Sequence, residues 1–185
     1  MITERAKASF DRLLQAGLRS GLPASEGPVV IEPVAALGKI KERKIVILTV
    51  SSYLFRAMAI LYFKPDAATR ALFRGEAAED APPLTDQEFL DRVAECGNIC
   101  CGTLNRDLGK HFPHVGMSTP NIIDTDCMHY VDLLGCGLVK HYRLRLAGDL
   151  TMHASLCVTD YGTVDFHVEP RLEQEEVSTG ELEMF

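Results

Sequence analysis

The chain has 185 residues, of which 46% are hydrophobic and 24% are charged, so it is long enough to bury a sizeable core in one domain. Its formal net charge of −7 argues against a nucleic-acid-binding surface, which needs a generally basic character. Residues 1–75 carry 12 basic and 6 acidic side chains, whereas residues 76–185 carry 7 and 20. We expect the acidic residues 171–185 to form a flexible tail.

In chain order, the first predicted element is an amphipathic helix over residues 4–20. Proline and glycine residues between residues 23 and 33 then predict a loop, which includes Pro33. Residues 44–50 and 53–63 predict two strands joined by a Ser-Ser turn. Because the second run is long and contains Ala and Met, a helix is the alternative there.

Residues 45–63 are apolar enough to be mistaken for a membrane-spanning segment. Arg56 in the middle of this run would make a helix in lipid costly. The N-terminal residues include Glu4 and Asp11 and lack the apolar run of a secretory signal. We therefore expect a cytoplasmic protein without a membrane partner.

The strongest helix signals follow a short predicted helix over residues 66–74 and a polar loop. Thr85 is a good N-cap, and Glu88 three residues later completes the pattern of a capping box. Gly109 marks the far end. The sequence therefore predicts a long helix over residues 86–108, about 34 Å from end to end at 1.5 Å per residue.

The last third of the chain predicts a small sheet. Pro120 interrupts a short strand and suits an edge or a bend. Residues 142–146 and 150–158 alternate like two strands around a turn at residues 147–149, and residues 163–168 alternate again. This mixture predicts an α+β fold, in which an antiparallel or mixed sheet is packed by two or three helices including the long one.

Four residues of the long helix form a narrow polar stripe, which we call the ridge: Asp91, Glu95, Asn98 and Gly102. At about 100° per residue they fall on one side, opposite most of the apolar residues. Gly97 lies on the apolar side, where it lets another element pack closely, whereas Gly102 keeps the surface beside Asn98 low for an approaching partner. Exposed acids on a helix are, alternatively, often only solvated.

Three of the six cysteines, Cys96, Cys100 and Cys101, crowd into the same helix. One interpretation is a metal or redox site with His111 and His114 nearby. The other is that free cysteine acts as a small buried apolar residue. Because the chain has no CxxC pair, the second interpretation is favoured and no metal site is predicted.

The spacing of the ridge residues resembles a motif of a known protein family. Asp91, Glu95 and Asn98, followed at a distance by Pro120, resemble the signature of the CheC/CheX/FliY chemotaxis phosphatases. The stretches "ECGNICCG" and "MSTPNIIDTD" resemble the helix and the following strand of that family. A looser resemblance extends over about residues 40–168. Because the chain shows a single copy of the motif, CheX is the nearest relative.

The resemblance divides the chain into three parts. Residues 1–40 would form an N-terminal helix and a Pro- and Gly-containing loop that the resemblance does not cover. Residues 41–170 would form the CheX-like phosphatase domain, and the acidic tail follows it.

The resemblance implies that the protein removes the phosphoryl group from the aspartyl phosphate of a CheY-type response regulator receiver. Asn98 would position the attacking water, and Glu95 would pair with a lysine of the receiver. Asp91, Gly102 and Pro120 would be the partner-binding residues. The phosphorylated partner would supply Mg²⁺, the chain would need no cofactor of its own, and the resemblance favours a homodimer.

Three alternatives stay open from the sequence. The same fold also resembles flagellar-switch components of the FliM type, which bind partners without hydrolysis, and a fold does not determine a function. A thiol or metal regulator built on the cysteines is the second alternative. A degenerate relative with a purely structural role is the third.

Overall fold

The computed structural model describes residues 1–23, 29–74, 82–146 and 150–169. The predicted acidic tail and the predicted turn at residues 147–149 lie outside the described residues. The strands are β1 (Val30–Val34), β2 (Lys44–Ser51), β3 (Phe55–Phe63), β4 (Gly116–Met117), β5 (Asn121–Asp124), β6 (Leu138–Arg145) and β7 (Thr151–Asp160). The helices are α1 (Glu4–Gly21), α2 (Ala67–Arg74), α3 (Asp86–Leu108) and a 3₁₀ helix (Thr125–Leu134).

Local capping explains where the two longer helices begin. The Thr3 side chain accepts a hydrogen bond from the backbone of Ala6 at the start of α1. Both bonds of the predicted capping box are present at α3: the backbone N–H of Glu88 donates to Thr85 Oγ1, and that of Thr85 donates to Glu88 Oε2 at 2.8 Å. The predicted bounds of α3 are confirmed.

In the described ranges, no helix is long and apolar enough to span a membrane.

All strand pairs between the seven strands are antiparallel. The order is β1-β6-β7-β3-β2, and both β4 and β5 pair with the outer edge of β2. The pairing of β2 with β3 runs from Lys44 opposite Phe63 to Ser51 opposite Arg56, so the second apolar run is a strand and not a helix. The predicted α+β class, with an antiparallel sheet and a long helix, is confirmed.

The prediction of a loop at Pro33 is wrong. Pro33 lies within β1, opposite Tyr142 of β6. β1 is the outermost strand on its side of the sheet, and within sheets proline is tolerated mainly on such edge strands.

The prediction of a strand over residues 163–168 is also wrong. Only an isolated bridge joins this segment to the chain start, between Ile2 and Val164. The backbone binds helix α1 instead: the hydroxyl of Ser9 donates to the carbonyl oxygen of Phe166 at 3.3 Å, and the N–H of Val168 donates to that hydroxyl at 3.0 Å. The alternation of apolar residues that predicts a strand here instead reflects Val164 and Phe166 packing into the core.

Helices α1 and α3 pack on one face of the sheet, which we call the helical face. A Cβ atom on Gly17 would lie 2.6 Å from the backbone oxygen of Cys100, and one on Gly21 would lie 2.6 Å from that of Cys96. Glycine therefore lets the two helix backbones approach each other closely. This core contains residues from both sides of the predicted boundary at residue 40, and that domain boundary stays a prediction.

Helix α3 also lies close to the sheet itself. A Cβ atom on Gly97 would come 2.7 Å from Leu48 Cδ1 and 3.3 Å from Val46 Cγ2. The predicted inward role of Gly97, close packing against another element, is confirmed.

The opposite face of the sheet, which we call the outer face, has its own smaller apolar cluster. Its buried members are Ile45, Ile60, Tyr62 and Cys157. The 3₁₀ helix, which the sequence does not predict, packs Cys127, Met128 and Val131 against them.

Candidate functional site

The ridge lies on the side of α3 that faces away from the sheet. Asp91 and Glu95 are exposed, and Asn98 and Gly102 are partly exposed. The opposite side of the helix packs on β2 and on α1, so the four ridge residues share the surface that remains, as their spacing predicts. The site is therefore carried by a helix whose apolar side is anchored in the core.

Glu95 and Asn98 are in direct contact. The side-chain amide of Asn98 donates a hydrogen bond from Nδ2 to Oε2 of Glu95, with the two atoms 3.3 Å apart. This bond turns the Asn98 amide so that its nitrogen faces the acid. Oδ1, which can only accept hydrogen bonds, is left for an incoming group.

The Glu95 carboxylate has no cationic partner among the described residues. Arg92, its neighbour one turn earlier, reaches back to α2 and donates to the carbonyl oxygens of Phe73 and Arg74 at 2.9 and 3.1 Å. The negative charge of Glu95 is therefore exposed and available to a cation from another molecule.

Asp91 is hydrogen-bonded to Gln87, a residue that the sequence does not mark as part of the site. Gln87 donates a hydrogen bond from Nε2 to Oδ1 of Asp91 at 2.7 Å. A Gln and an Asp four residues apart on a helix commonly pair in this way, so the spacing alone could have revealed the contact. It restrains the Asp91 carboxylate one turn before Glu95.

Gly102 has no structural requirement for glycine inside the described chain. A Cβ atom built on it would meet nothing within 4 Å. Because glycine inside a helix costs about 1 kcal/mol relative to alanine, the fold alone would favour alanine at this position.

Pro120 lies at the sheet edge between β4 and β5, and not on α3. Met117 pairs with Val50, and Asn121 pairs with Ile47. Four residue steps on the edge strand therefore match three on β2, which defines a β-bulge. The predicted edge or bend position of Pro120 is confirmed.

The cysteines of α3 are part of the core and not of the ridge. Cys96, Cys100 and Cys101 are buried, and burial raises the pKa of Cys96 to about 12 and that of Cys100 as well. Because thiolates are the reactive and metal-binding form, these thiols are poor nucleophiles and poor ligands. Within the described part of the chain, no group of three or more His, Cys, Asp or Glu side chains could hold a metal ion.

Several solved structures share the fold of this chain. Chemotaxis protein CheX from Vibrio vulnificus superposes with a TM-score of 0.61 at 13% identity, over 82% of this chain and 99% of that one. The chain has a CheX-like fold. A CheC-like superfamily protein from Shewanella matches with a TM-score of 0.60 at 12% identity, over 81% of this chain and 97% of that one.

A third similar structure is a complex of CheX with CheY, BeF₃ and Mg²⁺ from Borrelia burgdorferi. Its TM-score is 0.58 at 18% identity, over 82% of this chain and 96% of the other. A scan of protein-family models gives no match, and neither does a search of curated proteins. At these identities the comparison establishes a shared CheX-like fold, and the roles of individual residues rest on the geometry above.

Proposed function

We propose that this protein is a phosphatase that hydrolyses the aspartyl phosphate of a CheY-type response regulator receiver. The observation that carries the proposal is the hydrogen-bonded pair of Glu95 and Asn98 on an exposed helix face of a CheX-like fold. A carboxylate and a neutral amide one turn apart supply a docking charge and a water-orienting group from one rigid element.

Glu95 would dock the partner. Its exposed carboxylate lacks a cation within the described chain, and a receiver lysine would supply one in a charge-assisted hydrogen bond. The partner choice is supported by the similar CheX structure that was solved together with CheY. A carboxylate would otherwise be repelled by a phosphoryl group, so pairing with the lysine is what would bring the ridge into register.

Asn98 would position the attacking water. Its Oδ1 atom would accept a hydrogen bond from the water, whose oxygen attacks phosphorus while the bond from phosphorus to the receiver aspartate breaks, and the protons of the water stay with the phosphate product or pass to solvent. Inorganic phosphate and the free aspartate are the products. Phosphoryl transfer needs mainly positioning and charge stabilisation, and a neutral amide does not repel the phosphoryl oxygens. Mg²⁺ would belong to the receiver, and no cofactor of the chain's own is required.

The other predicted site residues would support docking. Asp91, restrained by Gln87, would offer a second polar contact, and Gly102 would keep the helix surface low where the receiver approaches. Pro120 would shape the adjoining sheet edge. A homodimer acting in the cytoplasm on a chemotaxis or related two-component receiver completes the proposal.

The test is the rate at which a phosphorylated receiver loses phosphate with and without this protein. A CheY-type receiver is phosphorylated with a small acyl phosphate, freed of the donor, and followed by release of inorganic phosphate. We expect the release to accelerate with catalytic amounts of the protein. Binding without acceleration would contradict the proposal and favour the non-catalytic binding module. No binding to a panel of phosphorylated receivers would reject the partner class.

A further inference from the structure

Two cysteine thiols meet on the outer face of the sheet, remote from the ridge. Cys157 lies on β7 and is fully buried, whereas Cys136 lies between the 3₁₀ helix and β6 and is half-buried. The Sγ atom of Cys136 is 3.5 Å from Oγ1 of Thr159. Because Cys157 and Thr159 are two residues apart on one strand, their side chains share a face. Cys136 therefore sits over the part of β7 that carries Cys157.

Cys136 also packs against the small apolar cluster that contains Cys157. Burial, with smaller contributions from the Cys136 thiol, raises the pKa of Cys157 to about 12. Since the thiolate is the nucleophile, Cys157 is inert toward outside reagents. Cys136 is the member of the pair that solvent reaches. Cys127, on the 3₁₀ helix, packs against the same apolar cluster, so its replacement is a control on the same face.

We propose that Cys136 and Cys157 are a modification site, oxidised by a low-molecular-weight disulfide to an intramolecular disulfide that ties the connection before β6 to β7. First, the Cys136 thiolate attacks one sulfur of the external disulfide, and one small thiolate leaves. Then Cys157 loses its proton and attacks the sulfur of Cys136, which expels the second small thiolate. Two protein thiols and one small disulfide thus become one protein disulfide and two small thiols.

Proximity is what makes the second step feasible. A buried thiol with a raised pKa reacts slowly with a partner from solution, but here Cys136 packs against the cluster that contains Cys157 and contacts Thr159 on the same face of β7. Effective concentrations in such intramolecular reactions are very high. The new bond would hold the 3₁₀ helix, whose Tyr130 and Leu133 are 67% and 82% exposed, against the outer face of the sheet.

The experiment treats the full native protein with oxidised glutathione and then counts thiols by alkylation and mass spectrometry. We expect two of the six cysteines to be lost without retained glutathione, and one peptide pair linked through Cys136 and Cys157. The oxidised protein should also unfold at a higher temperature than the reduced protein, since the crosslink closes a loop of the unfolded chain.

Two variants complete the test. Cys136→Ser keeps a hydroxyl for Thr159 and should neither form the link nor gain thermal stability on oxidation, whereas Cys127→Ser should behave like the wild type. A stable glutathione adduct on Cys136, a link through Cys127, or retention of all thiols would overturn the proposal. None of these outcomes depends on phosphatase activity.

Discussion

The side-chain amide of Asn98 donates a hydrogen bond to the carboxylate of Glu95 across 3.3 Å on the exposed face of α3. One bond thus fixes two properties of the ridge. It directs the amide nitrogen toward the acid and the amide oxygen outward. It also keeps the Glu95 carboxylate and the Asn98 amide oxygen one helical turn apart. A partner bound by Glu95 would therefore lie beside Asn98.

The first prediction separates catalysis from docking at this pair. Asn98→Ala should lower the acceleration of receiver dephosphorylation by about 100-fold or more, because the attacking water loses its orienting group. Its Kd for the receiver should change little. Glu95→Ala should raise Kd at least about tenfold, because a buried interfacial charge loses its partner. Single-turnover phosphate release and titration calorimetry measure the two effects.

Asn98→Asp is the matched control, since it keeps the shape of the side chain and adds a charge. It should be inactive, because a carboxylate would repel both Glu95 and the phosphoryl oxygens. Wild-type rates in Asn98→Ala would remove the proposed mechanism, even if the receiver still bound.

The second prediction concerns the open surface at Gly102. Gly102→Ala should stabilise the protein by up to about 1 kcal/mol, because it removes a mid-helix glycine and its Cβ meets no neighbour within 4 Å. Gly102→Leu should also fold, but should weaken receiver binding by placing bulk beside Asn98. Urea unfolding and receiver titration give the two readouts, and undiminished binding by Gly102→Leu would exclude this part of the ridge from the interface.

The third prediction uses the close contact between α1 and α3. Gly17→Ala gains about 1 kcal/mol of helix propensity, but its Cβ would lie 2.6 Å from the backbone oxygen of Cys100. Overpacking of this kind costs about 1–3 kcal/mol, and a backbone atom cannot rotate away. We expect a net loss of stability in urea unfolding.

Gly102→Ala serves as the control for Gly17→Ala, since both replace a helical glycine and only Gly17 meets a neighbour. A Gly17→Ala protein as stable as Gly102→Ala would show that the two helices separate easily at this contact.

Local signals explain which elements could be predicted from the sequence. Helix α3 was predicted to the residue because Thr85 and Glu88 form a capping box and Gly109 follows the last turn. Helical periodicity also placed Glu95 and Asn98 on one exposed side. These features depend only on residues a few positions apart.

The missed features depend on residues far apart in the chain. The residues around Pro33 predict a loop, because the strand that pairs with this segment, β6, lies more than 100 residues later in the chain. Val164 and Phe166 alternate as a strand would, although their segment binds α1. The close approach of Gly17 to Cys100 joins residues more than 80 positions apart, and no local pattern of either helix encodes it.

The fourth prediction concerns how the stability of the fold depends on pH. The group responsible is Asp165, which contacts residues at the start of α1. Asp165 is bound by the side chains of Arg5 and Thr3. The hydrogen bond from Arg5, followed by that from Thr3, lowers the pKa of Asp165 from its ordinary 3.8 to about 2. The folded state therefore favours the carboxylate, while the unfolded chain binds a proton between these two values. Stability from this group is complete above about pH 4 and is lost as the pH falls toward 2.

Asp165→Asn should lower the urea midpoint at pH 7 and flatten its fall between pH 4 and pH 2. Asp132→Asn is the control, because Asp132 is exposed and has no ion pair among the described residues. It should leave both the midpoint and its slope with pH near those of the wild type. If Asp165→Asn kept the full wild-type slope between pH 4 and pH 2, the acid sensitivity would have to come from other carboxylates. The contact of Arg5 with Asp165 would then contribute no pH-dependent stability.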